Sequence, residues 1–359
     1  MKTVFVGLSG GVDSSASAAL LKEQGFNVVG VYMKNWTKDL PGMPCPWKED
    51  YQDAKRVAVQ LGIDFKVYDF EKQYRDKVVE YMLDGFRAGF TPNPDIMCNQ
   101  EIKFKLFLNA ALEDDADMIA TGHYAKTKDG RLFMAKDSNK DQTYFLHRVT
   151  KEALAKTVFP LGDLTKPEVR QLAKKFKLVT ADKKESMGIC FVGKVGIKEF
   201  LAQYVDKKPG AIIDAKGQSI GQHDGALFYT IGQRHGLEVG GGLPYYVTGK
   251  DMDKNEVYVT TDLQDERLWS STIRMTSMHW IADEPKADQK LMVRTRHRAK
   301  LIPVKLLNKL SINTPKNKFS GVSGSDWVAE LGEEVRALTP GQSAVFYSGD
   351  ECLGGGIVI

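Results

Sequence analysis

Short apolar runs alternate with stretches of helical period through the first half of the chain. Val4, Phe5, Val6 and Leu8 predict a buried strand over 4–8. Ser14 opens a helical stretch that Gly25 ends, so a helix is expected over 14–24. The same alternation predicts strands over 27–33, 65–70 and 118–122, and helices over 49–61, 71–86 and 102–112. This rhythm implies an α/β domain with a parallel sheet covered on both faces, and ligands at the carboxyl ends of its strands. Two proline-bearing stretches, 36–47 and 90–99, break it. Their prolines argue against helix or central strand, so both are expected as loops, where chemistry tends to sit.

From residue 196 the texture changes. A short helix over 197–204 leads into a glycine-rich stretch, and from residue 269 short alternating segments dominate. The expected organisation is an α/β domain over 1–195, a small β-rich module over 196–268 and a C-terminal β-barrel over 269–359. A chain of 359 residues has room for that many domains. No apolar run approaches the roughly 20 residues that span a bilayer. The apolar run after Met1-Lys2 is too short for a signal peptide, so a cytoplasmic protein with no membrane partner is expected.

Charge alone does not choose a partner. Lys and Arg number 50 against 46 Asp and Glu, a formal net charge of +4. Distribution says more. Arg294, Arg296, Arg298 and Lys300 alternate with Thr295, His297 and Ala299. On a strand, period-two spacing would aim all four cations to one face, in a stripe of ~20 Å. That suits a row of phosphates, and equally a solvated edge strand defended by charge.

The four cysteines are Cys45, Cys98, Cys190 and Cys352. Wide spacing without a Cys-x-x-Cys pair suggests neither a disulfide framework nor a structural zinc site. Cys98 sits in the second proline-rich stretch, a poor core position. Cys190, in Gly188-Ile189-Cys190-Phe191-Val192, could equally belong to a buried strand. Cys352 reads as packing, and Cys45 has no assigned role.

Ser9-Gly10-Gly11-Val12-Asp13-Ser14-Ser15 follows the first strand and opens the first helix. Adjacent glycines let backbone approach a phosphate, and a helix N-terminus supplies amide donors and a positive dipole end. Asp13 could hold a magnesium ion against phosphates. The plainer alternative is a tight turn with a polar helix cap. Neither a Walker A loop nor a Gly-x-Gly-x-x-Gly fingerprint is present. The heptapeptide resembles the PP-loop of the N-type ATP pyrophosphatases, which split ATP into AMP and pyrophosphate. That superfamily spans GMP, argininosuccinate and NAD synthetases and tRNA-modifying enzymes, and the loop does not choose among them.

A second motif does. Thr91-Pro92-Asn93-Pro94-Asp95-Ile96-Met97-Cys98-Asn99-Gln100-Glu101-Ile102-Lys103-Phe104 resembles the tRNA-specific 2-thiouridylases. So do Thr121-Gly122-His123-Tyr124-Ala125, Lys140-Asp141-Gln142-Thr143-Tyr144-Phe145-Leu146, Gly188-Ile189-Cys190-Phe191-Val192-Gly193, Phe228-Tyr229-Thr230-Ile231-Gly232-Gln233-Arg234-His235-Gly236-Leu237 and Pro340-Gly341-Gln342-Ser343-Ala344-Val345-Phe346-Tyr347. These motifs run in order over essentially the whole chain. The resemblance implies ATP-dependent adenylation of C2 of the wobble uridine of tRNA, then sulfur transfer from a protein persulfide, giving 2-thiouridine, AMP and pyrophosphate.

By the same resemblance, ATP falls to Gly7, Leu8, Ser9, Gly10, Gly11, Val12, Asp13, Ser14, Met33 and Gly122. The target base falls to Asn93, Pro94 and Asp95. Cys190 would carry the persulfide, Cys98 would be the partner thiol, and Asp95 would shuttle a proton. Contact with tRNA falls to His123, Lys140, Asp141, Gln142, Arg294, Arg296, His297, Arg298 and Gln342, and, by domain, to the small module over 196–268 and the C-terminal barrel. His123 also reads as a hydrogen-bonded structural histidine, and Met33 as core. ATP, Mg2+, tRNA and an outside persulfide donor such as a cysteine desulfurase relay are implied, acting on a monomer. An iron–sulfur cluster is a lesser alternative, because Asp95-Ile96-Met97-Cys98 stands where a Cys-x-x-Cys would. Two rivals stay open. A small-molecule amidotransferase-type synthetase leaves Cys98 and the basic segment idle, and a non-catalytic tRNA-binding protein leaves both cysteines idle.

Overall fold

Val4, Phe5 and Val6 are all buried because β1 (Thr3–Gly7) is the middle strand of a five-stranded parallel sheet. A computed structural model describes residues 1–39, 45–184, 196–237, 239–240, 242–286, 288–310 and 326–359, with backbone alone at 308–310. On one side of β1 lie β2 (Asn27–Lys34) and β3 (Asp64–Asp69). On the other lies β4 (Met118–Ala120). The chain then makes the hairpin of β5 (Lys126–Lys128) and β6 (Arg131–Phe133) and returns to the sheet as β7 (Thr157–Val158).

Side chains alternate across this sheet, as strand geometry requires. Val4 and Val6 pack with α1 (Val12–Glu23) and α2 (Trp47–Leu61), through Leu21, Ala54 and Val57. Phe5 faces the other way, into a core holding Val78, Ile102 and Phe107. The helix expected over 71–86 is present in three joined pieces, Glu71–Tyr74, a π-helical Arg75–Val79 and Glu80–Arg87.

The second proline-rich stretch differs from expectation. Its last part is helical: Pro94–Met97 runs into a π-type stretch Cys98–Phe107 and then Leu108–Glu113. Pro94 occupies the first turn, where a missing N–H costs nothing and the fixed φ suits a helix. Asn93 caps it by accepting from Asp95 N at 3.1 Å.

The small module is a four-stranded sheet of β8 (Gly210–Ile213), β9 (Ser219–His223), β10 (Tyr246–Asp251) and β11 (Glu256–Thr260), in the order β10-β11-β8-β9. Before it, the short helix covers only Ile197–Leu201. The barrel is built from β12 (Trp269–Trp280), β13 (Leu291–Arg294), β14 (Ile302–Leu310), β15 (Asp326–Arg336), β16 (Ser343–Ser348) and β17 (Glu351–Val358). These pair in the order β12-β15-β14-β13-β16-β17, and β17 pairs back to β12, which closes the barrel. Ile273, Val293, Ala329 and Phe346 fill it. The β5–β6 hairpin extends the barrel sheet rather than the parallel one, because β6 pairs with β17. Arg131 also pairs with Glu351 at 2.8 Å. No helix among the described residues is long and apolar enough to cross a membrane.

The expected basic stripe is not a strand. β13 ends at Arg294, and the chain turns over 295–298, with Ala299 N donating to Arg296 O and Arg298 in the left-handed region at φ 64°. A turn scatters side chains that an extended backbone would have aligned.

Candidate active site

The nucleotide candidates gather where β1, β2 and β4 end. Gly10 adopts φ +73°, and a Cβ there would collide with the Asp50 backbone carbonyl of α2. Only glycine lets the loop turn so closely beneath α2. Gly122, just after β4, touches the start of α1; a Cβ on it would lie 2.7 Å from Ser14 N. Met33, at the end of β2, lies against Gly7, where an added Cβ would be 2.9 Å from its Cε. Leu8 and Val12 are buried beneath the loop.

Hydroxyls knit the loop together. Ser9 N donates to Ser14 Oγ at 3.1 Å, and the Ser9 and Ser14 hydroxyls lie 3.2 Å apart. Ser14 Oγ and Ser15 Oγ donate to Gly11 O at 3.1 and 2.8 Å. Gly11 precedes α1 in an extended conformation with no side-chain cap. The first amides of α1 are therefore left for another acceptor.

Asp13, in the first turn of α1, is held by Lys166, which the sequence did not single out, and by Tyr124, which it placed only within a motif and gave no role. Lys166 Nζ donates to both carboxylate oxygens, at 2.7 and 2.8 Å, and Tyr124 OH donates to one at 2.9 Å. Lys166 begins the helix Lys166–Lys175, which packs on α1 through Val169 and Ala173. A cation at the head of that helix thus faces the head of α1.

The second part of the site lies on the proline-started helix. Asp95 and Cys98 are one turn apart and share a face. Cys98 is 3 % exposed, and Asp95 is half-buried at the edge of a cavity of about 630 Å³. Burial pushes the Asp95 carboxyl above its ordinary range, while the charge of Lys103 opposes this. Asn93 and Pro94 line the same cavity, as does Gln342 from the barrel, whose Nε2 donates to Thr91 O at 2.6 Å. Cys190 lies outside the described residues.

His123 is buried, with Nδ1 2.8 Å from Thr121 Oγ1 and its ring among Phe104 and Phe159. That burial holds its pKa well below the usual histidine value, and Lys103 adds to the effect, so the ring is neutral. Phe104 follows Cys98 on the same helical stretch, so this aromatic packing links the end of β4 to the thiol-bearing helix.

The remaining candidates meet on one face. Arg294 pairs with Asp141 at 3.2 Å, and Arg298 Nε donates to Asn139 O at 3.0 Å. Asp141 itself is 2 % exposed and also accepts from Ala135 N and Thr143 Oγ1, so its carboxylate holds the fold together. Gln142 Oε1 accepts from Tyr124 N. His297 stacks on Phe145 at 4.6 Å; burial, with Arg298 and Arg294 behind it, lowers its pKa. Arg296 reaches back to Ala337 O and Thr339 Oγ1. Of the candidates on this face Arg296 and Arg298 are exposed and Lys140 partly so. Cys352 is buried, which drives its thiol far above the ordinary range, as packing requires. Cys45 is half-buried, its thiol raised mainly by burial.

Among the described residues no three His, Cys, Asp or Glu side chains gather as a metal site.

A glycine turn and a helix N-terminus without a side-chain cap, at the head of a parallel sheet, make the arrangement of a nucleotide-binding α/β fold. Residues 2–194 match the model of the tRNA methyl transferase HUP domain. Residues 198–261 match the tRNA methyl transferase PRC-barrel domain and residues 270–358 the aminomethyltransferase β-barrel domain. The tRNA-specific 2-thiouridylase MnmA of Idiomarina loihiensis is 46 % identical over 368 aligned positions, covering 99 % of this chain and 96 % of that one. That of Geobacillus thermodenitrificans is 46 % identical and that of Bacillus subtilis 45 %, each alignment covering 99 % of this chain and 94 % of the relative. The chain belongs to the family of the tRNA-specific 2-thiouridylases.

Proposed function

We propose that the protein adenylates C2 of the wobble uridine of tRNA with ATP and replaces the oxygen with sulfur from a persulfide on Cys190. The observation that carries this reading is the pairing of an uncapped α1 beneath a glycine cradle with Asp95 and Cys98 on one helical face. A carbonyl oxygen is a poor leaving group, and adenylation makes it a good one. The uracil C2 oxygen attacks the α-phosphorus, pyrophosphate leaves, and Asp95 accepts the N3 proton. The terminal persulfide sulfur attacks C2, and AMP departs with the former C2 oxygen. Cys98 thiolate then attacks Cys190 Sγ. A Cys98–Cys190 disulfide forms, the sulfur stays on C2, and an outside thiol resets the pair.

The loop amides and α1 would bind the ATP phosphates. Mg2+ fits Asp13, because this ion takes one or two carboxylates and completes its shell with phosphate oxygens and water; it would neutralise phosphate charge. Lys166 would exchange Asp13 for phosphate at the same moment. An iron–sulfur cluster fits less well, since Cys98 and Cys190 supply only two of the thiolates such clusters prefer. The sulfur comes from a persulfide donor protein, and the enzyme works as a cytoplasmic monomer. The face bearing Arg296, Arg298 and Lys140 holds tRNA phosphates, and His123 positions the RNA near the adenylation site.

Incubation with ATP, tRNA and a persulfide donor tests the reading. Pyrophosphate release that depends on tRNA, with 2-thiouridine in the digested RNA, is the expected result. Pyrophosphate release driven by a small molecule without tRNA overturns it.

Asp95 supplies a second test. A carboxyl whose folded pKa is raised binds more protons in the native state than in the unfolded one. Its contribution to stability is complete below the unfolded carboxylate value and is lost as pH rises through the raised one. Asp95→Asn removes that loss. The variant is expected to melt higher than the wild type at neutral pH, with the difference vanishing at pH values below the unfolded carboxylate range, and to thiolate poorly. Paired melting curves across pH check this; equal melting points at neutral pH refute the burial cost.

A further inference from the structure

The cavity beside Asp95 has two walls of different chemistry. The inner wall is the 91–95 stretch, with its cap and its buried proline. The outer wall is the segment 230–236 of the small module, which carries no role in the reaction as derived above. The two walls are tied at one point by the Thr91 and Thr230 hydroxyls, 3.2 Å apart.

The outer segment is held in shape by its own groups. Gln233 Oε1 accepts from Thr230 N at 3.0 Å, and its Nε2 donates to His235 O at 2.8 Å. Tyr229 OH donates to Gly236 O at 3.1 Å. Gly232 N donates to Val247 O and Val247 N to Gln233 O, which pins the segment to β10. Gln233 is thus spent on the loop. Arg234 and His235 are not: both are exposed, and among the described residues neither side chain makes a hydrogen bond or ion pair. Lys198, the other cation on the cavity, is paired with Asp224 at 3.2 Å.

A preorganised loop that presents an uncommitted guanidinium at the mouth of a cavity is built for an anion. The cavity lies within the ~300–1,000 Å³ range of small-molecule pockets, and its other end carries Asn93 and Asp95. The neighbouring Gly232 lies 3.9 Å from Arg296 Nη2, measured from an added Cβ, so the segment continues the Arg296–Arg298 face. A polyanion lying along that face reaches Arg234 next.

We infer that the 230–236 loop is the RNA-facing wall of the target-base cavity, with Arg234 and His235 holding the phosphodiester beside the target nucleotide. This rests on the thiouridylase reading. The small module then sets the register of the RNA strand: it fixes the phosphate while the neighbouring base enters toward Asp95. Such a contact positions the strand without reading its sequence.

Arg234→Ala, Arg234→Lys and His235→Ala test the inference by tRNA binding at several salt concentrations and by thiolation at varied tRNA. Arg234→Ala is expected to weaken tRNA binding about tenfold and to lower the slope of log affinity against log salt by about 0.7, the loss of one single-strand phosphate contact. Thiolation at saturating tRNA stays within about twofold, as when binding is lost equally from the ground and transition states, and ATP affinity is unchanged. Arg234→Lys keeps the slope. An Arg234→Ala protein with unchanged affinity and slope overturns the inference, as does an Arg234→Lys protein that loses as much as the alanine variant. Failure of the function itself is separate, because it shows as a wild type that binds and thiolates no tRNA.

Discussion

A Cys98→Ser protein, assayed without added thiol, will release pyrophosphate from ATP when tRNA is present and will make no 2-thiouridine. In the proposed reaction adenylation uses the glycine loop and Asp95, and neither depends on the Cys98 sulfur. Sulfur delivery stops one step short. The persulfide attacks C2, AMP leaves, and the RNA remains joined to Cys190 through a disulfide that no neighbouring thiol opens. The expected signature is an enzyme–RNA adduct that dithiothreitol dissolves, releasing thiolated RNA. Cys190→Ser gives the complementary result: pyrophosphate release, no adduct and no rescue. At Cys98 serine replaces sulfur with a smaller hydroxyl at a buried position, so folding of both variants is checked by melting and by tRNA binding, which each should retain. A Cys98→Ser enzyme that thiolates at the wild-type rate without reductant removes the partner-thiol role.

Lys166→Ala should lower kcat/KM for ATP at least about a hundredfold in tRNA-dependent pyrophosphate release, which is ~2.7 kcal/mol of transition-state stabilisation. Without ligand the Lys166 ammonium bridges both oxygens of Asp13. A triphosphate bound on the amides of α1 brings several negative charges to the same place, and Mg2+ competes for the carboxylate. The ammonium, displaced from Asp13, is then free to follow charge onto the departing pyrophosphate. Lys166→Arg should recover part of the loss. If Lys166 serves only to hold Asp13, the alanine variant melts lower yet turns over ATP with wild-type constants, and the catalytic role is refuted.

Lys166 left a mark in the sequence that pattern reading passed over. Thr165-Lys166-Pro167-Glu168 is a capping box with a proline in the first turn, and the structure shows that box formed. A lysine at the first helical position opposes the helix dipole. An unfavourable cation in a well-built cap is a reason to look for a missing anion, and Asp13 is that anion here.

The parallel sheet was legible because buried strands read as apolar runs, and β1, β2 and β4 do so; β3, at the sheet edge, has no buried residue and shows only the short apolar pattern of Phe65, Val67 and Tyr68. β7 is two residues long, and β5 and β6 are three each, too short for any period to register. The tight turn before α1 was legible because Gly10 must be glycine. The Pro94 helix was misread because proline breaks helices everywhere except their first turn. The arginine stripe misled for a different reason: alternation of residue types fixes a face only where the backbone stays extended, and Arg298 leaves that region. Tertiary partners decided the rest, since nothing local in the sequence tells that Asp141 waits for Arg294.

The β5–β6 hairpin carries a consequence for the order in which the molecule can be made. Its neighbour β17 is the last strand of the chain. A ribosome adds some 5–20 residues per second, so the first domain emerges many seconds before the strand that covers Leu132. Until then β6 is an open edge of the kind that recruits other chains. Any truncation before β17, by a premature stop or a protease, leaves that edge bare and opens the barrel between β12 and β16 as well, so a shortened protein is expected to aggregate.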